Sequence, residues 1–235
     1  MIHGKKILAV IPARGNSKTI QNKNLKQING KPLIAWTIEE AKKSKYIDRL
    51  VLSSDNQNII DFCRANGCEV PFKRPDELAL DDTPGIEPIL HTVKMIPHYD
   101  YVVVLQPTSP LRIVDDIDGC IENCVINDYK CVVTVTSTFF KPYWSFTMDE
   151  GNKMNPLFSD PIPKRRQDHK DVYALNGAVY IAKIDYLLEH RSFITDLTFA
   201  YKMPRIRSID IDDYEDFIIA EHFMSFQYNR SNINI

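Results

Sequence analysis

The stretch Ile7-Leu8-Ala9-Val10-Ile11-Pro12-Ala13-Arg14-Gly15-Asn16-Ser17-Lys18 decides how the rest of the chain is read. Its first five residues are uniformly apolar and stop at Pro12, the pattern of a short strand buried on both faces. The segment that follows carries Gly15 and, by position 23, the three cations Arg14, Lys18 and Lys23. In an open α/β sheet, ligands gather beyond the carboxyl ends of the strands. A glycine there lets the backbone approach an anion, and successive N–H groups cradle its oxygens. Two lysines and an arginine would offset much of a triphosphate's charge. The spacing is not GxxxxGK[ST], which excludes a Walker A loop, and not GxGxxG, which disfavours a dinucleotide site. Spacing alone leaves two readings open: a loop that holds a polyphosphate, and an ordinary solvated basic loop.

Working outward, residues 49–53, 101–105 and 131–136 repeat the short apolar pattern and read as further strands. Between them, 32–43, 57–66, 85–96 and 114–127 read as helices; Ile34, Thr37, Ile38 and Ala41 give the 3, 4, 7 spacing of one helical face. Strands alternating with helices imply βαβ units and an α/β fold with a mostly parallel sheet. From about 139 to 170 the chain turns rich in Pro, aromatic and charged residues, with turn signals at 149–151 and 155–156. This reads as an excursion from one domain spanning 1–235, with a hairpin arm. Residues 172–181 and 199–203 read as strands and 213–228 as a closing helix.

A length of 235 residues with 44% hydrophobic content suffices for one sizeable core. The 29 basic and 31 acidic residues leave a net charge of −2, unlike the clearly basic balance of a nucleic-acid binder. The apolar runs fall far short of the ~20 residues a spanning helix needs, so a cytoplasmic protein is expected. Five cysteines without a CxxC pair read as buried thiols, Cys120 and Cys124 facing one another on a helix. None of the six scattered histidines is assigned to metal.

Asp210 and Asp212 are separated by one residue, so in an extended segment their carboxylates share a face about 7 Å apart. Mg²⁺ prefers one or two carboxylates with water and phosphate. The competing reading has Asp212 or Asp213 capping the last helix, which leaves Asp210 unexplained. Asp55 reads as a helix cap, and Asp81 and Asp82 as solvated turn residues. Gln106 ends the strand at 101–105, where a ligand-facing amide is expected, or where it stabilises the turn between Pro107 and Pro110.

The loop after the first strand, with Lys23-Asn24-Leu25 and Asn29-Gly30-Lys31-Pro32-Leu33, resembles the signature of the acylneuraminate cytidylyltransferases, the CMP-sialic acid synthetases. Arg74-Pro75-Asp76-Glu77-Leu78-Ala79 and Leu105-Gln106-Pro107-Thr108-Ser109-Pro110-Leu111-Arg112 are similar to that family's second and third segments. Arg166-Gln167 with Asn176-Gly177-Ala178-Val179-Tyr180-Ile181, and Ser208-Ile209-Asp210-Ile211-Asp212, resemble its fourth and fifth. One departure is Thr19, where many members carry glycine.

The resemblance implies a Rossmann-like nucleotidyltransferase sheet flanked by helices, with the excursion reaching into the partner subunit of a homodimer. It implies transfer of CMP from CTP to a nine-carbon 2-keto sugar acid (N-acetylneuraminate, legionaminate or pseudaminate) with Mg²⁺ as cofactor. Arg14, Lys18 and Lys23 would then hold the triphosphate, with Ser17, Asn24 and Arg74 on the nucleotide. Gln106, Arg166, Tyr180 and Phe193 would orient the sugar acid, and Asp210 and Asp212 would bind the metal. Tyr180 and Phe193 read equally well as core residues. The alternatives are transfer to an eight-carbon acid (Kdo), use of a different nucleotide, and a non-catalytic nucleotide-binding relative.

Overall fold

The computed structural model describes residues 1–138, 142–158 and 171–232. Six strands form one sheet: β1 (Ile7–Pro12), β4 (Arg49–Ser53), β5 (Tyr101–Leu105), β6 (Cys131–Ser137), β9 (Tyr173–Lys183) and β10 (Thr198–Lys202). Their order is β10-β6-β9-β5-β1-β4, and β9 alone among them runs antiparallel to its neighbours. The strands read from sequence are present to within two residues at either end, and the sheet is mostly parallel, as their alternation with helices required. Every residue of β5 is buried, as a central strand covered on both faces must be.

Helices α1 (Leu33–Lys43), α2 (Gln57–Ala65) and α4 (Val114–Ile126) cover one face. Helices α3 (Glu87–Met95) and α5 (Ile184–His190) cover the other. The chain leaves β1 toward β4 through α1 on one face; from β4 it passes α2 on that face, then crosses to α3 on the other before entering β5. The carboxyl ends of β1 and β5 therefore open a crevice at the point where the winding reverses. Helix α3 starts later than the spacing suggested, and Pro88 sits in its first turn, where a missing N–H costs nothing.

A smaller cluster lies outside these two layers. Ile20, Ile28, Leu33, Leu111 and Ile211 pack with Phe217, Ala220 and Met224 of the last helix, α6 (Tyr214–Asn232). A two-stranded pairing of β2 (Gln27–Ile28) and β3 (Lys31–Pro32) contributes Ile28 to it. This cluster fixes the segment before α6 against the loop after β1.

The excursion contains the expected hairpin, β7 (Phe146–Met148) against β8 (Met154–Pro156). Its turn is closed by Asp149, whose Oδ1 accepts from the N–H groups of Gly151 (3.0 Å) and Lys153 (2.9 Å). Both strands are exposed along their length, with Trp144, Phe146, Met148, Met154 and Leu157 open to solvent. No helix among the described residues is long and apolar enough to cross a membrane.

All five cysteines are buried and unpaired, including Cys120 and Cys124 on α4. Burial pushes the Cys63 and Cys131 thiols up to about 12 and the other three higher still. The folded chain should therefore resist Ellman's reagent, with all five thiols reacting only in denaturant. One thiol reacting quickly under native conditions would contradict the burial.

Candidate active site

A cleft of about 350 Å³ occupies the crevice beyond β1 and β5. Pro12, Arg14, Asn16, Ser17, Lys23 and Asn24 line it from the β1 side, and Gln106, Pro107 and Thr108 from the β5 side. Arg74 also reaches it. Six residues singled out from the sequence (Arg14, Ser17, Lys23, Asn24, Arg74 and Gln106) are thus brought together. Lys18 stands at the rim, its side chain 68% exposed.

The loop after β1 is held from below. The Gly15 N–H donates to Asp55 Oδ1 at 3.0 Å, and Asn24 Nδ2 donates to the Arg14 carbonyl at 3.0 Å. A Cβ on Gly15 would lie 2.8 Å from Asn56 Cβ, so glycine is needed for this approach. Asp55 is therefore a loop anchor and not a helix cap. Asn56 caps α2 instead, accepting from the N–H groups of Asn58 and Ile59. Asp81 is solvent-exposed, as read, and its carboxylate also lies 2.9 Å from Arg14 Nη1 and 3.4 Å from Lys18 Nζ.

Arg74 is buried, donating from Nε to Ser53 Oγ at 3.0 Å and from Nη2 to the Ser53 carbonyl. Burial lowers its pKa to about 10, with Asp55 opposing and Arg14 reinforcing the shift. It remains a cation at neutral pH and adds positive charge to the cleft floor.

The acidic pair lies in an unpaired stretch that leads into α6; neither acid lines the cleft, and Asp210 instead lines a second cavity with Thr136, Ser208 and Asp216. Ile211 between them is buried; its N–H donates to the Thr108 carbonyl at 2.8 Å. Its carbonyl accepts from Lys23 Nζ at 2.7 Å, and Thr19 Oγ1 donates to the Asp212 carbonyl. Asp212 points outward, 84% exposed, with its Oδ1 3.9 Å from Lys23 Nζ. Asp210 turns inward, so the two carboxylates do not share a face as the alternation of an extended segment predicted; residues 210–212 are not in a strand. Its Oδ1 is buried and without a hydrogen-bond partner among the described residues. Burial raises its pKa, opposed by a hydrogen bond from Thr108 and reinforced by Asp212. Among the described residues no group of three or more His, Cys, Asp or Glu converges. Asp213 caps α6, accepting from the N–H groups of Glu215 and Asp216, which releases Asp210 and Asp212 from that duty.

Room for Asp210 comes from an irregularity in β9. The pairing with β6 jumps from Val133↔Tyr180 to Val135↔Leu175, so β9 bulges between them. Thr134 Oγ1 and Asn176 Oδ1 meet at 2.6 Å inside the bulge and satisfy the N–H groups of Val179 and Ala178. Gly177, at φ +71°, sits where a Cβ would be 2.9 Å from Asp210 Oδ2. Neither the bulge nor its glycine was legible in the alternation of apolar residues.

Arg112, unassigned from sequence, is fully buried beneath the cleft. Its guanidinium donates to the carbonyls of Gln106 (3.1 Å) and Ala178 (2.8 Å) and to Thr37 Oγ1 (2.7 Å). It ties the end of β5 to the β9 bulge, and burial lowers its pKa to about 10. Tyr180 and Phe193 pack on each other at 5.5 Å between ring centroids, against the α3 and α5 side of the sheet. They do not line the cleft, although Tyr180 is close enough to Asp210 to feel its charge. Arg166 lies outside the described residues.

Residues 8–226 match the family model described as Cytidylyltransferase. The chain is 36% identical to the CMP-N,N'-diacetyllegionaminic acid synthase of Legionella pneumophila, over 93% of this chain and 96% of that one. It is 32% identical to an N-acylneuraminate cytidylyltransferase of Escherichia coli, over 92% of this chain and 51% of that one. A solved CMP:2-keto-3-deoxy-manno-octonic acid synthetase complexed with CTP superposes with a TM-score of 0.73 at 15% identity, covering 94% of this chain and 99% of that one.

Arg112→Met should lower unfolding free energy by about 2–4 kcal/mol in urea titration, because it strands buried acceptors that Arg112 now satisfies. Arg112→Lys should not restore it, since a point ammonium does not span the fork's acceptors. A Met variant as stable as the parent would show that the clamp is dispensable.

Proposed function

The chain belongs to the cytidylyltransferase family, and we propose that it transfers CMP from CTP to the anomeric hydroxyl of a sialic-acid-type nine-carbon 2-keto sugar acid, releasing pyrophosphate. The observation that carries this reading is the single cleft that gathers Arg14, Ser17, Lys23, Asn24, Arg74 and Gln106 at the sheet's switch point. The relatives named for legionaminic acid and N-acylneuraminate support a nine-carbon acceptor. The eight-carbon alternative rests on a likeness of fold at 15% identity and is the weaker reading.

The reaction is an in-line displacement at the α-phosphorus. A bond forms from the anomeric oxygen, the bond to the β-phosphate oxygen breaks, and the hydroxyl loses its proton. Such chemistry needs position and charge more than a covalent intermediate. Arg14, Lys18 and Lys23 hold the triphosphate and stabilise the departing pyrophosphate. Ser17 contributes a hydroxyl on the same side, Asn24 keeps the loop in shape, and Arg74 adds charge from beneath. Gln106 meets the acceptor's hydroxyls. Arg166 is assigned to its carboxylate, which an arginine fork matches; Tyr180 and Phe193, packed on each other away from the cleft, back the sheet behind the site.

Asp210 and Asp212 would hold Mg²⁺: Asp210 offers a buried, unpartnered carboxylate oxygen, and the outward-facing Asp212 carboxylate would turn to join it with phosphate and water. Mg²⁺ held there would neutralise charge on the α-phosphate and lower the pKa of the attacking hydroxyl. The exposed Trp144, Phe146, Met148, Met154 and Leu157 of the arm support a homodimer in which a second subunit covers them.

Pyrophosphate release should appear with Mg²⁺, CTP and one of N-acetylneuraminate, legionaminate or pseudaminate, and not with Kdo. Turnover with Kdo alone, or with none of them from protein that binds CTP, would overturn the assignment. Asp210→Asn should cut release on the order of a hundredfold or more. Its melting temperature should stay level or rise, because the change removes an uncompensated buried charge. A fully active Asp210→Asn enzyme would remove the residue from the metal site.

A further inference from the structure

Of the acids around the cleft, Asp81 has no place in the transfer chemistry. It sits on the stretch between the 3₁₀ turn Asp76–Leu78 and α3, a stretch that lines the cleft through Leu80, Asp81, Thr83 and Gly85. Among the described residues its carboxylate caps no helix and closes no turn. Both its partners come from the loop after β1: Arg14 Nη1 at 2.9 Å and Lys18 Nζ at 3.4 Å. Leu80, next to it, is 56% exposed, so no apolar anchor pins this part of the stretch to the core. Thr83 ties the stretch to itself, its Oγ1 donating to the Glu77 carbonyl at 3.0 Å and its N–H to the Leu80 carbonyl at 3.3 Å, and the pair of cations holds the Asp81 carboxylate over the cleft.

We propose that Asp81 is a built-in substitute for a phosphate: it occupies the anion site of Arg14 and Lys18 while the cleft is free, and a polyphosphate must displace it to enter. This deepens the nucleotidyl-transfer reading and rests on its assignment of Arg14 and Lys18 to the triphosphate. A carboxylate brings one negative charge to two cations, and a polyphosphate brings several with more acceptor oxygens. Asp81 is 52% exposed, and solvent-exposed ion pairs are weak, so the exchange is readily reversible. Once the polyphosphate is seated, like charges drive Asp81 and its stretch off the cleft. When pyrophosphate loosens, the returning carboxylate competes for the same cations and speeds its departure. Asp81 is therefore a gating residue that trades ground-state affinity for release.

Titration calorimetry with inorganic tripolyphosphate and with pyrophosphate tests this without turnover. Asp81→Asn should bind both roughly two- to tenfold more tightly than the parent, the gain expected from freeing two exposed ion pairs. Asp81→Glu, which keeps the charge, should return toward the parent. Asp82→Asn makes the same charge change one residue away and should gain less, which separates direct pairing from the general field. Equal or weaker binding by Asp81→Asn, an equal gain in Asp82→Asn, or a parent that binds neither anion would overturn the gate. The acceptor panel reads the reaction separately. Pyrophosphate release by a parent whose Asp81→Asn variant binds no more tightly sinks the gate alone. A gate that responds to tripolyphosphate without release for any acceptor sinks the transfer reading alone.

Discussion

The burial of Ile211 is the constraint on which the site depends. Its side chain sits in the small cluster with Ile20, Leu111 and Phe217. Its N–H is fixed by Thr108 at the end of β5, and its carbonyl by Lys23 from the loop after β1. One apolar residue thereby joins three segments that are distant in sequence. On either side of it, Asp210 lies inward against Gly177 and Asp212 is left at the surface. Weakening that packing would separate the acids from the cations even if every charged side chain were kept.

Most of the fold was legible because its strands are short, apolar and interrupted by amphipathic stretches. For β1, β4, β5 and β6 the residue pattern and the hydrogen-bond ladder agree nearly end to end, since these strands are covered on both faces and composition alone marks them. The order of the strands and the antiparallel direction of β9 were not legible. Both depend on which helix crosses which face, a choice made by packing between residues far apart in the sequence.

The site divides along the same line. Residues on the loop after β1 were legible because a glycine and three cations after a buried strand form a local pattern. Asp55, Asp81, Arg112 and Asn176 were not, because each acts on a distant partner. Asp81 meets Arg14 across 67 positions, and Arg112 meets Ala178 across 66. Read alone, an aspartate in a polar turn is solvated; only the fold supplies its counterion. The family resemblance carried Tyr180 and Phe193 as sugar-pocket residues. The geometry has them packed on one another beside the core, with Tyr180 near Asp210 as their link to the cleft.

The cleft is also arranged against its own stability. Arg74 and Arg112 are buried cations hydrogen-bonded to hydroxyls and carbonyls; burial depresses both pKa values, and the carboxylates near them (Asp55 for Arg74, Asp116 for Arg112) only partly oppose it. Asp210 keeps an oxygen without a donor. A carboxylate hydrogen-bonded to Arg74, or a donor on Asp210 Oδ1, would satisfy these groups internally. Either would remove the field that an anionic ligand and its cation are to complete. Uncompensated charge fixed in place by packing needs no reorganisation when the ligand arrives, and that is the form in which electrostatic groups are most effective in catalysis. The exposed acid at position 81 fits this scheme, because it quenches two of the cations by a contact weak enough to be exchanged.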